Sequence, residues 1–285
     1  MSLALRPARS FLYIPGSNAR ALEKARALPV DAIIFDLEDA VTPGEKINAR
    51  GQLQAALAAG DYGTRLCLVR VNGLDTDWGR DDILAFADAD IDGILIPKVD
   101  NGAALDAVAA LCPGMALWAM METPRGVLNA AEIADHGQMA GFILGTNDLA
   151  KDLNNRNRAD REPLLSALQI CLLAARAAGI VCIDGVYNAF KDTVGLAAEC
   201  EQGRDMGFDG KTLIHPAQVE TANGVFGPSE DEIALARRQI AAFDVARAEG
   251  KGVAVVDGQI VENLHIEAAQ AVLAKHRAIR AAEGE

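Results

Sequence analysis

The sequence predicts an α/β fold, a TIM (β/α)8 barrel followed by a small C-terminal lid of helix, hairpin and helix. Three observations predict it: eight short apolar runs, Ala- and Leu-rich segments with helical spacing between them, and polar residues where the runs end. A doubly wound parallel sheet is the alternative. It usually has fewer strands, and the G-x-G-x-x-G that often follows its first strand is absent. We expect the barrel over residues 1–227 and the lid over residues 228–285.

The apolar runs are rich in Ile, Leu and Val and apolar on both faces, which is typical of parallel strands covered on both sides. The predicted strands are Phe11–Ile14, Ala32–Phe35, Leu66–Val71, Gly93–Ile96, Ala116–Met121, Gly141–Leu144, Ile180–Ile183 and Thr212–Ile214. The predicted helices between them include Ala19–Leu28, Ala49–Ala59, Ala103–Ala110 and Pro163–Ala178. A proline at the start of the last helix and Gly179 after its end are favoured at those positions.

The pattern changes after about Pro228. A capping box, Ser229-Glu-Asp-Glu232, predicts a helix that continues to about Ala248. The favoured turn dipeptide Asp257-Gly258 separates two short apolar runs and predicts a hairpin. A final helix is expected from about His265 to Ala281. We interpret this tail as an appended lid.

Composition excludes several kinds of partner. The 285 residues carry a formal net charge of −13, which argues against binding nucleic acid, because phosphates require a basic surface. No uninterrupted apolar stretch is long enough to predict a membrane span. The five cysteines are odd in number and scattered, so free thiols in a reducing, cytoplasmic compartment are expected. The four histidines do not have metal-ligand spacing.

Polar side chains follow the strands, and in a barrel these strand ends meet at the rim where active sites lie. Crowded carboxylates repel one another unless a cation lies among them, and oxygen ligands without His or Cys suit Mg²⁺. Arg70 supplies a planar fork that matches a substrate carboxylate. Together these groups suit an α-keto or α-hydroxy acid. The acidic residues expected at the rim are Asp36, Glu38, Asp39, Glu122, Asp148 and Asp184.

Seven segments, in order along the chain, resemble the citrate lyase β-subunit/malyl-CoA lyase family. They are Arg9–Gly16, Asp31–Val41, Arg70–Asn72, Pro97-Lys98, Glu122-Thr-Pro124, Gly145–Asp148 and Gly207–Pro216. The resemblance implies a TIM barrel that forms a homo-oligomer, commonly a trimer or hexamer. It also implies Claisen-type cleavage or formation of a carbon–carbon bond in a 3-hydroxyacyl-CoA ester such as malyl-CoA or citramalyl-CoA, with an acyl-CoA and a 2-keto acid as products.

The resemblance also implies roles for the rim residues. Glu122 and Asp148 match the ligands of Mg²⁺, for which Mn²⁺ can substitute, and Arg70 matches the arginine that binds the keto-acid carboxylate. Three further predicted catalytic residues match acids near the metal waters: Asp36, Glu38 and Asp39. Three predicted substrate-binding residues lie beside Asp148: Gly145, Thr146 and Asn147. His215 is expected to be structural, and Lys98 suits the rim and an ordinary surface about equally.

Coenzyme A requires cations for its phosphates. Arg20 and Lys24 are one helical turn apart and are the predicted CoA contacts, although a solvated helix face is an equally good interpretation. By resemblance, the lid contributes an acid/base aspartate, two residues before a proline, to a neighbouring subunit. Here Glu262 aligns with that aspartate and Leu264 with the proline. The carboxylate is kept but lies one methylene farther out, so a different substrate is possible.

Three functions remain open from the sequence. The first is a stand-alone CoA-ester lyase or synthase, which the lid favours because a closing element suits a diffusible substrate. The second is the β subunit of a citrate lyase complex that cleaves a carrier-bound citryl thioester to oxaloacetate. The third is an inactive protein that binds CoA esters or keto acids.

Overall fold

Eight parallel strands close into a barrel in sequence order in the computed structural model, which describes residues 6–284. The first strand pairs with both the second and the eighth, which closes the barrel. The predicted TIM-type fold is therefore confirmed. The strands are β1 (Ser10–Pro15), β2 (Ala32–Asp36), β3 (Leu66–Arg70), β4 (Gly93–Ile96), β5 (Leu117–Met121), β6 (Met139–Leu144), β7 (Val181–Asp184) and β8 (Gly210–Leu213).

Helices follow the strands and cover the outside of the barrel. They are α1 (Ala19–Ala25), α2 (Lys46–Ala59), α3 (Gly79–Phe86), α4 (Gly102–Ala109), α5 (Pro124–Leu128), α6 (Ala130–Ala134), α7 (Thr146–Asp152), α8 (Leu165–Ala178), α9 (Thr193–Met206) and α10 (Val219–Phe226). Gly179 ends α8 in the left-handed conformation, as predicted. A 3-10 turn, Glu162–Leu164, precedes α8, so the helix begins at Leu165 and not at the predicted proline.

The barrel interior is filled by side chains, and a tryptophan lies at its centre. Trp118 is fully buried, and its ring lies 5.7 Å from that of Phe11, so it is a packing residue. A Cβ at Gly93 or Gly141 would approach Trp118 to 2.8 Å or 2.4 Å. The two neighbouring strands therefore carry glycine where the indole requires space.

Strand register brings the polar strand ends together. Pro15 at the end of β1 pairs with Asp36 at the end of β2, and Asp36 pairs in turn with Arg70 at the end of β3. Because the strands are parallel, these residues lie on the same rim.

The C-terminal residues form a second compact unit, residues 224–284 with residues 6 and 7, separate from residues 8–223. It contains α11 (Glu230–Ala248), β9 (Ala254–Val256), β10 (Gln259–Val261) and α12 (Asn263–Glu283). Ser229 and Glu232 form the predicted capping box. Asp257 and Gly258 both have positive φ, as the favoured hairpin turn requires. The small core of this unit consists of Phe243, Ala246, Ala254 and Val261.

The five cysteines are all buried free thiols, as predicted. None of the helices in residues 6–284 combines the length and the apolar composition that a bilayer crossing requires.

Candidate active site

A cavity of about 390 Å³ opens at the rim of the barrel. Eight of the predicted site residues line it: Asp36, Asp39, Arg70, Glu122, Gly145, Thr146, Asn147 and Asp148. Glu122 completes the acidic wall, and Tyr13, Met120, Leu144 and Ile214 contribute apolar surface. The strand ends thus converge on one cavity, as the order of the motifs indicates.

Asp36 holds the loop after β2 and the guanidinium of Arg70 together. Its two oxygens accept the backbone N–H groups of Glu38 at 2.9 Å and Ala40 at 3.1 Å, which fold the loop back over the strand end. The same oxygens accept Nε of Arg70 at 2.8 Å and NH2 at 2.6 Å. The buried Lys46 ammonium donates to the carbonyls of Leu37 and Glu38 and fixes the other side of the loop.

Arg70 keeps donors that Asp36 does not use. Its NH1 lies 2.9 Å from Glu38 Oε2, yet no group within residues 6–284 forms a hydrogen bond with that buried oxygen. A guanidinium has five N–H donors, and Asp36 takes two of them. Asp36 leaves the second NH2 donor unused, whereas a substrate carboxylate at the cavity would share NH1 with Glu38. The ring of Tyr13 lies 4.9 Å from the guanidinium carbon and supports its face.

Glu122 follows β5 and is almost completely buried, with 3% exposed. Thr123 caps α5 and Pro124 is its first residue, so the E-T-P segment is a strand end joined directly to a capped helix. Burial raises the pKa of Glu122 to about 7, and the charge of Glu38 adds to the rise. A Cβ at Gly145 would meet the Glu122 side chain at 2.4 Å, so only glycine leaves room for this carboxylate.

Asp148 lies in the first turn of α7, where the helix dipole favours a carboxylate. Its side chain is 32% exposed and faces the cavity. Thr146 is buried against Gly185, where a Cβ would approach its hydroxyl to 2.5 Å. Asn147 exchanges two hydrogen bonds with Asn188, at 2.7 and 3.3 Å, across the mouth of the cavity.

Lys98 lies at the rim and contacts three of its carboxylates. The ammonium is 2.9 Å from Glu38 Oε1, 3.5 Å from Asp148 Oδ2 and 4.0 Å from Glu122 Oε1. The backbone N–H of Lys98 also donates to Glu122 Oε1 at 2.9 Å. From the sequence alone, a position at the rim and a position on an ordinary surface are about equally good interpretations for this lysine. The signal for the rim was its place directly after the fourth strand, in Pro97-Lys98.

The donor set fits a magnesium ion. The Lys98 ammonium lies 4.0 Å from Glu122 and 3.5 Å from Asp148, so a positive charge already lies near both carboxylates. Within residues 6–284, no cluster of three or more His, Cys, Asp or Glu side chains is arranged as a closed metal site. Mg²⁺ does not need such a cluster, because it commonly binds one or two carboxylates and keeps water or substrate in its other positions. The buried, destabilised charge of Glu122 favours a cation beside it.

Asp184 is not at the open rim, and that prediction is wrong. Asp184 is fully buried, accepts Arg161 NH1 at 2.7 and 2.8 Å, and contacts Lys211 at 3.0 Å. Lys211 also binds Glu199 at 2.7 Å. Two cations on distant segments thus pair with this buried carboxylate. The charges of Lys211 and Arg161 outweigh the burial, and the pKa of Asp184 is lowered.

Four predicted site residues do not line the rim cavity: Glu38, which contacts Arg70 and Lys98, and Arg20, Lys24 and Glu262. Arg20 and Lys24 are exposed on α1, on a helix whose start is capped by Asn18. Glu262 belongs to the C-terminal unit, is exposed, and precedes α12. Its backbone N–H donates to His265 Nδ1 at 3.2 Å. His215 has the predicted structural role, because its Nδ1 accepts the Ala217 N–H and caps a 3-10 turn.

Comparison with known proteins agrees with this geometry. A family model described as HpcH/HpaI aldolase/citrate lyase matches residues 9–216. A (3S)-malyl-CoA thioesterase of Cereibacter sphaeroides strain KD131 is 65% identical over 275 residues, 96% of each chain. A citrate lyase subunit beta of Leuconostoc mesenteroides subsp. cremoris is 37% identical over 277 residues, 93% of this chain and 92% of the other.

One solved structure covers nearly the whole chain. It is the crystal structure of CitE from Mycobacterium tuberculosis in complex with magnesium, acetoacetate and coenzyme A. It is 29% identical, has a TM-score of 0.80, and the match covers 97% of this chain and 99% of that one. The similarity therefore includes both the barrel and the C-terminal elements.

Proposed function

The chain belongs to the HpcH/HpaI aldolase/citrate lyase family, and we propose that it is a magnesium-dependent enzyme that hydrolyses (3S)-malyl-CoA or a closely related hydroxyacyl-CoA thioester. The substrate class is supported by one observation: the guanidinium of Arg70 and the carboxylates of Glu122 and Asp148 line the same cavity. The choice of hydrolysis is supported by the 65% identity to the (3S)-malyl-CoA thioesterase over almost the full length of both chains.

In this proposal Glu122 and Asp148 hold the metal, and Arg70 binds the free carboxylate of the malyl group. Mg²⁺ supplies a Lewis acid that polarises a substrate oxygen. Asp36 fixes the guanidinium before the substrate arrives, so that its remaining donors are already oriented. Gly145 and Thr146 form the wall beside the metal ligands, and the apolar side chains of the cavity limit the access of water. Arg20 and Lys24 remain the proposed contacts for the phosphates of coenzyme A.

Hydrolysis requires a base that takes a proton from water, and Glu262 is the proposed base. By family resemblance this carboxylate reaches the active site of a neighbouring subunit, so we propose a homo-oligomer, either a trimer or a hexamer. A glutamate has one methylene more than the family's aspartate, and its carboxylate reaches farther. This longer reach suits an attack on the thioester carbonyl by water.

Carbon–carbon cleavage is the second candidate, favoured by the 37% identity to a citrate lyase subunit beta. Carbon–carbon cleavage would use the same residues: Arg70 to bind the substrate carboxylate, and Glu122 with Asp148 to hold the metal. The two reactions differ only in which bond of the substrate breaks. The action of such a subunit on a carrier-bound thioester would require partner chains. An inactive binding protein is disfavoured, because the Arg70, Glu122 and Asp148 set is intact.

The products separate these functions. Purified protein with Mg²⁺ is incubated with (3S)-malyl-CoA, and products are identified by mass spectrometry. Hydrolysis gives malate and free CoA in equal amounts, whereas cleavage gives acetyl-CoA and glyoxylate. Parallel reactions with citramalyl-CoA and citryl-CoA define the substrate range. EDTA should abolish turnover and added Mg²⁺ should restore it. Glyoxylate without malate would reject hydrolysis, and full activity in EDTA would reject the metal.

A further inference from the structure

Lys98 supplies the only ammonium that contacts three rim carboxylates at once within residues 6–284. Glu38, Asp148 and Glu122 lie 2.9, 3.5 and 4.0 Å from its Nζ. Two of these, Glu122 and Asp148, are the proposed metal ligands. A cation that touches both carboxylates therefore has to occupy space next to the ammonium or take its position.

The backbone of Lys98 is fixed to the same cluster. Its φ is +49°, a left-handed conformation that is uncommon for a residue with a long side chain. In this conformation the N–H of Lys98 binds Glu122 Oε1 while its ammonium returns toward Glu38 and Asp148. Both ends of the residue thus bind the carboxylate cluster. Such a strained residue persists where its surroundings hold it in place.

We infer that Lys98 is an internal competitor for the metal position, so that a divalent cation binds Glu122 and Asp148 only by displacing the Lys98 ammonium. The inference rests on the proposed function, in which these two carboxylates hold the metal. The ammonium offsets part of the negative charge of Glu122 and Asp148. When a metal binds, the ammonium keeps Glu38 as its partner, since Glu38 is the nearest of the three carboxylates.

Charge supports this competition. A monovalent ammonium and a divalent ion repel each other strongly at a separation of a few ångströms, and each would weaken the other's hold on the shared oxygens. A lysine side chain is positively charged at physiological pH, and its 2.9 Å hydrogen bond to Glu38 holds this charge beside Glu122 and Asp148. The metal has to overcome that charge.

The test compares metal affinity in Lys98→Met and Lys151→Met. Methionine keeps an unbranched side chain, one atom shorter, and the backbone N–H that binds Glu122, but it removes the charge. Lys151 is an exposed lysine on the same helix as Asp148, so its substitution changes the net charge equally. Titration of the full-length protein with Mn²⁺, followed by electron paramagnetic resonance, measures the dissociation constant directly. Lys98→Met should lower it by about fivefold or more, and Lys151→Met by less than about twofold. An unchanged or higher constant in Lys98→Met overturns the inference.

Wild-type protein gives a second measurement that does not depend on the variant folding. Acetic anhydride labelling, quantified by mass spectrometry, should modify Lys98 at least about twofold faster with saturating Mg²⁺, while Lys151 stays unchanged. Equal or slower labelling of Lys98 contradicts displacement.

Glu122→Gln separates the two proposals. If wild type binds Mn²⁺ and Glu122→Gln does not, the metal site stands, and the Lys98 results decide the inference alone. If neither wild type nor Lys98→Met binds Mn²⁺, the proposed metal site and the inference fall together.

Discussion

The carboxylate of Asp36 accepts two hydrogen bonds from one edge of the Arg70 guanidinium, with Oδ1 2.8 Å from Nε and Oδ2 2.6 Å from NH2. Asp36 is 1% exposed and Arg70 7% exposed, so water does little to weaken the pair. The arginine is therefore already oriented, and a ligand carboxylate would share its NH1 group with Glu38, which lies 2.9 Å away. Asp36 is the last residue of β2 and Arg70 the last of β3, and their pairing follows directly from strand register.

Substitution of Asp36 should destabilise the fold much more than substitution of its neighbour. Asp36→Asn leaves a buried guanidinium without its closest counter-charge, and loss of one partner of a buried ion pair costs about 3 kcal/mol. Asp39→Asn is the matched control, because Asp39 is 68% exposed and lies 3.7 Å from Arg70. Its effect should be within about 0.5 kcal/mol. Urea unfolding of both variants measures the free energies, and equal values would mean that Asp36 does not anchor Arg70.

Arg70→Lys should lose at least about 100-fold in kcat/KM while remaining folded. Lysine keeps the positive charge but lacks the planar guanidinium. The guanidinium can bind Asp36 and, as we propose, the substrate carboxylate at the same time. Steady-state kinetics with (3S)-malyl-CoA, together with circular dichroism, test this. A variant as active as wild type would remove Arg70 from the clamp.

Metal affinity should rise with pH through the pKa of Glu122. Burial raises that pKa to about 7, and a metal competes with the proton for the same carboxylate. Below pH 7 the affinity for Mn²⁺ should increase by up to about tenfold per pH unit, and the rise should level off above it. Calorimetry in buffers of different ionisation enthalpy measures the proton released. Flat affinity between pH 5.5 and 8 would exclude this linkage.

The same shift affects stability in the opposite direction. Folding raises the pKa of Glu122 from its ordinary value of 4.5, so between about pH 4.5 and 7 the folded state binds the proton more tightly than the unfolded state. The contribution of this group to stability is then present at low pH and is lost as pH rises through 7. Bound metal should offset the loss.

The proposed role of Glu262 is tested by subunit mixing. Glu262→Ala and Arg70→Ala homo-oligomers should each be nearly inactive. Co-refolded mixtures should regain activity, because some sites combine an intact Arg70 with an intact Glu262 from a neighbour. Native mass spectrometry verifies that hetero-oligomers form. Verified hetero-oligomers without activity would refute a shared site, and an active Glu262→Ala enzyme would remove this residue from the mechanism.

The sequence was sufficient to predict the barrel because both of its signals are local. Continuous apolar runs identify buried parallel strands, and their polar ends lie on one rim by topology alone. The capping box at Ser229 and the Asp257-Gly258 turn are also complete within a few residues. These elements were accordingly found at nearly the predicted positions.

Ion pairs between residues that are distant along the chain could not be predicted from local sequence patterns. Asp184 has the sequence context of a rim acid, yet it is fully buried and bound by Arg161 and Lys211, which are 23 and 27 residues away. Lys98 looks like any lysine after a strand, and only its distances to three carboxylates distinguish it. Spacing in sequence places side chains at a strand end but does not decide which charges pair there.

We propose that Glu122 and Asp148 hold a divalent cation beside Arg70, and a crystal structure with Mn²⁺ shows whether they do. Crystals are grown with Mn²⁺ and malate, and data are collected at the manganese absorption edge. We expect one anomalous peak between the carboxylates of Glu122 and Asp148, about 2.2 Å from an oxygen of each. That peak should be lost in Glu122→Gln crystals prepared in the same way. The claim would be contradicted if the wild-type crystals carried no anomalous density between these two residues while the Lys98 ammonium remained in place.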